Sequence, residues 1–213
     1  MRRFICIFTV LFFALLSASC SQFGLSRYHP ATTRPVPVTD LAHYDEYPVG
    51  VKKMIAHALL LSRQNLTYRF GSANPNSGGM DCSGVIYYIL KGMHPHAYAP
   101  RDSYDMYIWL LRAKKIHHVR TRYFNSSQFN ALKPGDLLFW TGTYRTRHRP
   151  PITHVMLYLG KDKHNVPLMF GSSGGGIYRG REMWGVSVFD FILPSGRGRE
   201  RFVGYGCIPS VTC

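Results

Sequence analysis

Acidic residues are scarce in this chain: 11 Asp and Glu stand against 26 Lys and Arg, a formal net charge of +15. So large an imbalance asks for an anionic partner or surface. It does not ask for nucleic acid, because the basic residues are dispersed rather than gathered in a recognition helix with base-stacking aromatics. Cysteine is scarce as well. Outside the first nineteen residues the chain holds Cys20, Cys82, Cys207 and Cys213, too few and too scattered for a disulfide framework. Cys207 and Cys213 could bridge across a small loop, though nothing in the sequence requires it. If they pair and Cys20 is modified, Cys82 is the free thiol that remains. No internal repeat or low-complexity tract is present. The length of 213 residues, 46% of them apolar, suits one substantial core and a short appendage.

A long hydrophobic run is also missing. The apolar stretch Phe4 to Leu16 follows two arginines and ends in small residues before Cys20, in MRRFICIFTVLFFALLSASC. It is marginal for spanning a bilayer and reads as an export signal over residues 1–20. Small residues followed by cysteine indicate lipoprotein processing, with Cys20 as the lipidated N-terminus, although Ser17 stands where leucine is usual. An ordinary cleaved signal or an uncleaved anchor is the alternative. All of these place the rest of the chain outside the cytoplasm, and Ser21 in place of an aspartate favours an outer-membrane lipoprotein at the periplasmic face of the envelope. Residues 21–49, with HPATTRPVPVTD, lack an apolar period and read as an extended tether.

From residue 50 to 213 the pattern is that of a folded domain. VKKMIAHALLLSRQ has apolar residues at helical spacing, and NLTYRFGS is a short extended entry to a glycine-rich loop. Asp81 is a good N-cap for a helix that holds Cys82 in its first turn and stops near Gly92. A second helix is expected near Asp102. After it the period becomes two: GDLLFW, HVMLYLG, PLMFGS, GVSVFDFIL and RFVGYGCI are strand-like runs. Helices first and strands afterwards predict an α+β domain with its helices packed on a central antiparallel sheet. Gly174 to Gly176 are expected to form a flexible turn rather than a phosphate cradle.

The chemistry centres on MDCSGVIYYIL. A thiolate in the first turn of a helix is stabilised by the helix end, so Cys82 is expected to have a lowered pKa. A cysteine nucleophile needs a base, usually an imidazole from a distant part of the chain. His154 opens a clear strand in THVMLYLG, where alternation puts His154, Met156 and Tyr158 on one face and Val155, Leu157 and Leu159 on the other. If the second face packs on the helices, His154 looks toward a cleft; if the faces are reversed, it is a core residue. The loop TGTYRTRHRPPIT carries Arg145, Arg147, His148 and Arg149 just before His154. It reads either as a trap for substrate carboxylates or as a solvated hairpin loop. His94, His96, His117 and His118 have no carboxylate or cysteine at ligand spacing, so no metal is expected, and no organic cofactor is implied.

Taken together, TYRFGSANPNSGGMDCSGVIYYIL, PRDSYDMY, LKPGDLLFW, THVMLYLG and FVGYG resemble, in that order, the NlpC family of papain-like cell-wall cysteine peptidases. The resemblance runs from about Ala56 to Ile208. It implies a papain-like α+β fold, Cys82 as nucleophile and His154 as general base. Tyr68 matches a tyrosine bordering the active site, and Asp81 and Ser83 match positions that help hold the peptide end of the substrate. Capping alone would justify both of the latter. The family usually has a third, polar residue on the strand after the base strand, where this chain aligns Phe170 or Gly171. Ser172 or a backbone carbonyl could orient His154 instead, or a Cys and His dyad could suffice. The implied function is cleavage of peptidoglycan stem peptides, at the bond from D-glutamate to meso-diaminopimelate. The rival readings are a cell-wall-binding scaffold lipoprotein without turnover and a hydrolase of another amide.

Overall fold

The computed structural model describes residues 30–32 and 34–213. The expected export signal, with Cys20, lies outside the described residues. Three helices, α1 (Val49–Leu61), α2 (Cys82–Met93) and α3 (Ser103–Arg112), precede nearly all of the main sheet. A two-stranded parallel pair, β1 (Thr67–Tyr68) and β2 (Gly79–Met80), lies between α1 and α2. The sheet comprises β3 (Ile116–His118), β4 (Leu137–Thr141), β5 (Ile152–Lys161), β6 (Pro167–Tyr178), β7 (Arg181–Asp190) and β8 (Arg201–Gly206). Its order is β3-β8-β4-β5-β6-β7, antiparallel throughout, which is the expected α+β architecture.

Alternation sorts the sheet into two apolar faces. Phe139 of β4 meets Tyr107 of α3 edge-on at 5.4 Å on the helical side. Its neighbour Trp140 points the other way, into Phe202 at 5.0 Å and Phe191 at 5.9 Å. His154 pairs with Trp140 across β4 and β5, and its ring lies 5.7 Å from the indole. His154 is therefore on the face away from α3, as the cleft reading requires. Burial of Val85, Ile86 and Ile89 on α2 against β5 and β6 fixes that helix on the sheet.

Two differences from the expected organisation have local causes, and one pairing that the sequence left open is made. The tether ends earlier than residue 49: Val36 and Leu41 are buried, Thr32 bridges Trp184 and Leu41 bridges Asp162, so this segment packs on the domain. Gly174 to Gly176 form no turn. They lie inside β6, where the register with β7 shifts between Ser173 and Gly176, and the turn falls at Arg179 and Gly180, both at positive φ. The β6–β7 hairpin bends back so far that the Arg179 amide donates to Asp190 at its own base, 2.9 Å away. Finally, Cys207 and Cys213 are joined in a disulfide, and Cys82 is the free cysteine among the described residues.

Candidate active site

Cys82 is placed by the cap that precedes it. The Asp81 carboxylate accepts the Gly84 amide at 2.6 Å and starts α2 there. The same carboxylate accepts the Gly71 amide at 2.7 Å, drawing the loop after β1 over the helix start. Gly84 has no alternative, since a Cβ on it would come within 2.1 Å of the Ser72 carbonyl oxygen. Pairing of Tyr68 with Met80 then brings Tyr68 beside the nucleophile position.

On the sheet side, β5 and β6 pair only from Leu157 and Phe170 onward, away from His154. The β6-facing edge of β5 is open before that point, and the start of α2 enters the gap. The Val155 amide there donates to the Cys82 sulfur, and the Ser172 hydroxyl donates to the Met80 carbonyl at 2.6 Å. A sulfur held at the amide of Val155 is one residue from His154. Residues 72 positions apart are thus brought to one region by a helix cap and a strand divergence.

Burial governs the electrostatics. It pushes the Cys82 thiol up to about 11, against the amides of Val155, Ser83 and Cys82 itself, which favour the thiolate; the Asp81 charge adds to the rise. The lowered pKa expected from the helix end is therefore overturned: desolvation outweighs the helix terminus and the three amides. Burial also drives His154 down to about 4. Taken alone, each group therefore favours its neutral form. Tyr68 is raised by burial, then by the nearby Cys82 and Asp81 charges.

Several expected roles change. Asp81 accepts five donors: the amides of Gly71 and Gly84, the Ser83 hydroxyl and both terminal nitrogens of Arg101. A carboxylate has about four acceptor sites, so none is left for substrate. Ser83 is buried and occupied between Asp81 and Arg101. Both residues build the helix start, the structural role the sequence also allowed them. Ser172 faces Met80, is fully buried and is spent on that carbonyl, so it does not orient His154. Phe170 is core, opposite Leu157, and Gly171 abuts Met156. Of the β6 residues that line the cavity with His154, Ser173 is the one with a polar side chain, and its hydroxyl donates to the Gly175 carbonyl at 2.7 Å. Among the described residues the His154 ring makes no hydrogen bond, and Trp140 is its packing partner.

The sequence did not single out Arg101, Trp140, Tyr144 or Ser173. Arg101 had one signal, its place in PRDSYDMY; its bidentate approach to Asp81, at 2.9 and 3.0 Å, is a tertiary fact.

His154 opens onto a cavity of about 870 Å³ lined by Tyr68, Phe70, Trp140, Tyr144, Met156, Met169, Gly174 to Gly176 and Phe189, among others. Tyr68 therefore borders the site. The basic loop stands at its edge: Thr143 and Tyr144 line the cavity and Arg145, Arg147 and Arg149 are exposed beyond them. A buried thiol bonded to the amide next to His154, and a His154 ring that lines a largely apolar cavity, together suit acyl transfer from an amide substrate.

The model of the NlpC/P60 family matches residues 65–167. The chain is 31% identical over 150 residues to the murein DD-endopeptidase MepH of Escherichia coli strain K12, covering 70% of this chain and 49% of that protein. A crystal structure of a protein of the NLP/P60 family, described as similar to lipoprotein, from Staphylococcus aureus aligns over 78% of this chain and 44% of its own, at 20% identity and a TM-score of 0.45. The chain thus spans about half the length of the relatives it matches.

Proposed function

We propose that this chain, which carries an NlpC/P60-family domain, is a cysteine endopeptidase of the cell envelope that cuts amide bonds in peptidoglycan stem peptides. The observation that supports the reading is the hydrogen bond from the Val155 amide to the Cys82 sulfur, Val155 being next in sequence to His154, whose ring lines the cavity. His154 takes the thiol proton as the sulfur attacks the substrate carbonyl, giving a tetrahedral oxyanion. Amides at the start of α2 and the Tyr68 hydroxyl are the donors nearest to that charge. The imidazolium returns its proton to the leaving amine, a thioester remains on Cys82, and water activated by His154 releases the acid. With no hydrogen-bonded third residue among the described residues, the pair works as a dyad whose imidazole is held by Trp140.

The bond has two candidates. The sequence resemblance implies D-glutamyl to meso-diaminopimelate, whereas the E. coli relative is named a DD-endopeptidase. The export signal and lipidation of Cys20 would hold the enzyme at the periplasmic face of the envelope, tethered to the outer membrane. Two observations favour a second reading, a binding scaffold with little turnover: the thiol is buried, and among the described residues the imidazole has no hydrogen-bonded orienter. Incubating the protein and its Cys82→Ala variant with defined muropeptides, with products identified by mass spectrometry, decides between them. Cleavage lost in the variant is the expected result and names the bond. Equal cleavage by both removes Cys82 from the chemistry, and none by either selects the scaffold.

A further inference from the structure

The two loops at the His154 end of the sheet carry charge that the fold does not use. Residues 142–151 join β4 to β5, and residues 191–200 join β7 to β8. They run side by side: Thr141 pairs with Arg201, and a Cβ on Gly142 would lie 2.2 Å from the Arg199 carbonyl oxygen. Both border the cavity, through Thr143 and Tyr144 on one side and Ser195 and Glu200 on the other.

Two arginines elsewhere in the fold are given carboxylates. Arg101 pairs with Asp81, and Arg179 with Asp40 and Asp162. On these loops Arg145, Arg147, Arg149, Arg197 and Arg199 are exposed, and among the described residues their guanidinium groups make no ion pair or hydrogen bond. Two more arginines are structural: Arg122 donates to the Ser195 carbonyl, and Arg201 to those of Gly198 and Glu200, which fixes the second loop. The acids nearby are Glu200 and Asp190, which line the cavity, Asp81, which is paired with Arg101, and, on the α3 side, Asp102 and Asp105, whose charges face Tyr144 and His148. His148 stacks on Tyr104 at 4.2 Å, and this anchors the first loop on α3. The result is a positive rim on anchored backbone beside the cavity mouth.

We propose that this rim is a binding site for a carboxylate-bearing peptidoglycan strand, which it holds across the cavity mouth through Arg145, Arg147 and Arg199. The proposal rests on the peptidoglycan reading above and names the chemical feature of the substrate that the protein selects, free carboxylate groups spaced along an extended chain. Guanidinium groups offer each carboxylate two parallel donors, and several such contacts on one polymer chain reinforce one another.

The test is binding, so that it is separate from turnover. Full-length Cys82→Ala protein is co-sedimented with isolated sacculi, untreated or with their carboxylates converted to amides. Alongside it run the same protein with Arg145→Gln, Arg147→Gln and Arg199→Gln, and a charge-matched control with Lys53→Gln, Lys161→Gln and Lys163→Gln. The arginine variant is expected to bind untreated sacculi about tenfold more weakly, three exposed charge contacts together supplying about that factor. The lysine variant should bind like the parent, and amidated sacculi should abolish the difference between parent and arginine variant. Equal weakening by the two triple variants, or undiminished binding to amidated sacculi, overturns the proposal. Rim-dependent binding by a protein whose active form cleaves no muropeptide would leave the rim standing and remove the enzyme.

Discussion

Replacing Asp81 by Asn tests whether that carboxylate builds the site or binds the substrate. The asparagine oxygen can still accept the Gly84 amide and cap α2, so helix initiation survives. Its amide nitrogen must then face a donor, either the Gly71 amide or Arg101. Breaking a buried ion pair by neutralising one partner costs about 3–5 kcal/mol. Arg101 is 36% exposed at its side chain, so solvent takes up part of the orphaned charge and about 2 kcal/mol is the better figure. Loss of the Gly71 acceptor adds about 1 kcal/mol. A total near 3 kcal/mol lowers Tm by roughly 6–12 °C for a domain of this size. Urea unfolding of Asp81→Asn, Arg101→Met and the double variant gives the cycle, and a coupling of about 1.5–2 kcal/mol between the two positions is expected. A variant with unchanged Tm but a raised KM for muropeptides refutes this reasoning and returns Asp81 to substrate binding.

Two further predictions concern the neutral pair. A thiol at about 11 is ionised to about one part in ten thousand at pH 7, so iodoacetamide should alkylate Cys82 about a hundredfold more slowly than an unperturbed thiol, with the rate climbing tenfold per pH unit; a plateau near neutrality contradicts the burial argument. His154, held at about 4 against 6.5 unfolded, binds a proton more readily in the unfolded chain. Its contribution to stability is intact above pH 6.5 and is lost as pH falls toward 4, by at most about 3 kcal/mol. Comparing urea unfolding of wild type and His154→Gln at pH 7 and pH 4.5 isolates this loss, and equal pH dependence in the two proteins counts against it.

The order of helices and strands was legible because each element advertises its own period: the apolar spacing of α1, the Asp81 cap of α2, and the alternation that put His154 and Met156 on the cleft face. What was not legible depends on neighbours remote in sequence. Ser172 and Ser173 are adjacent serines, and only the point at which β6 leaves β5 decides which one faces Met80 and which one shares the cavity. The three glycines read as a turn because glycine marks turns more often than strand bends, yet the hairpin uses them to fold back on itself. Asp81 looked half structural and half functional until Arg101 and Gly71 arrived to fill its oxygens. The thiol pKa failed for a related reason: a helix N-terminus is visible in sequence, whereas the depth at which it is buried is not.

That depth bears on how the proposed chemistry must run. Burial disfavours the thiolate and the imidazolium alike, so a charged pair cannot stand ready in the free protein as it does where a cysteine and histidine are well hydrated. Proton transfer to His154 and attack on the carbonyl must then proceed together, because each charge becomes affordable only as the other forms beside it. The amides of Val155, Ser83 and Cys82 are fixed in advance toward the sulfur and need no reorganisation when negative charge appears there. As the bond forms, that charge moves from sulfur to the carbonyl oxygen, where the donors within reach are the α2 start and Tyr68. A Tyr68→Phe variant should therefore lower kcat with little change in KM, whereas a change confined to KM would place Tyr68 against the bound ground state and not the oxyanion.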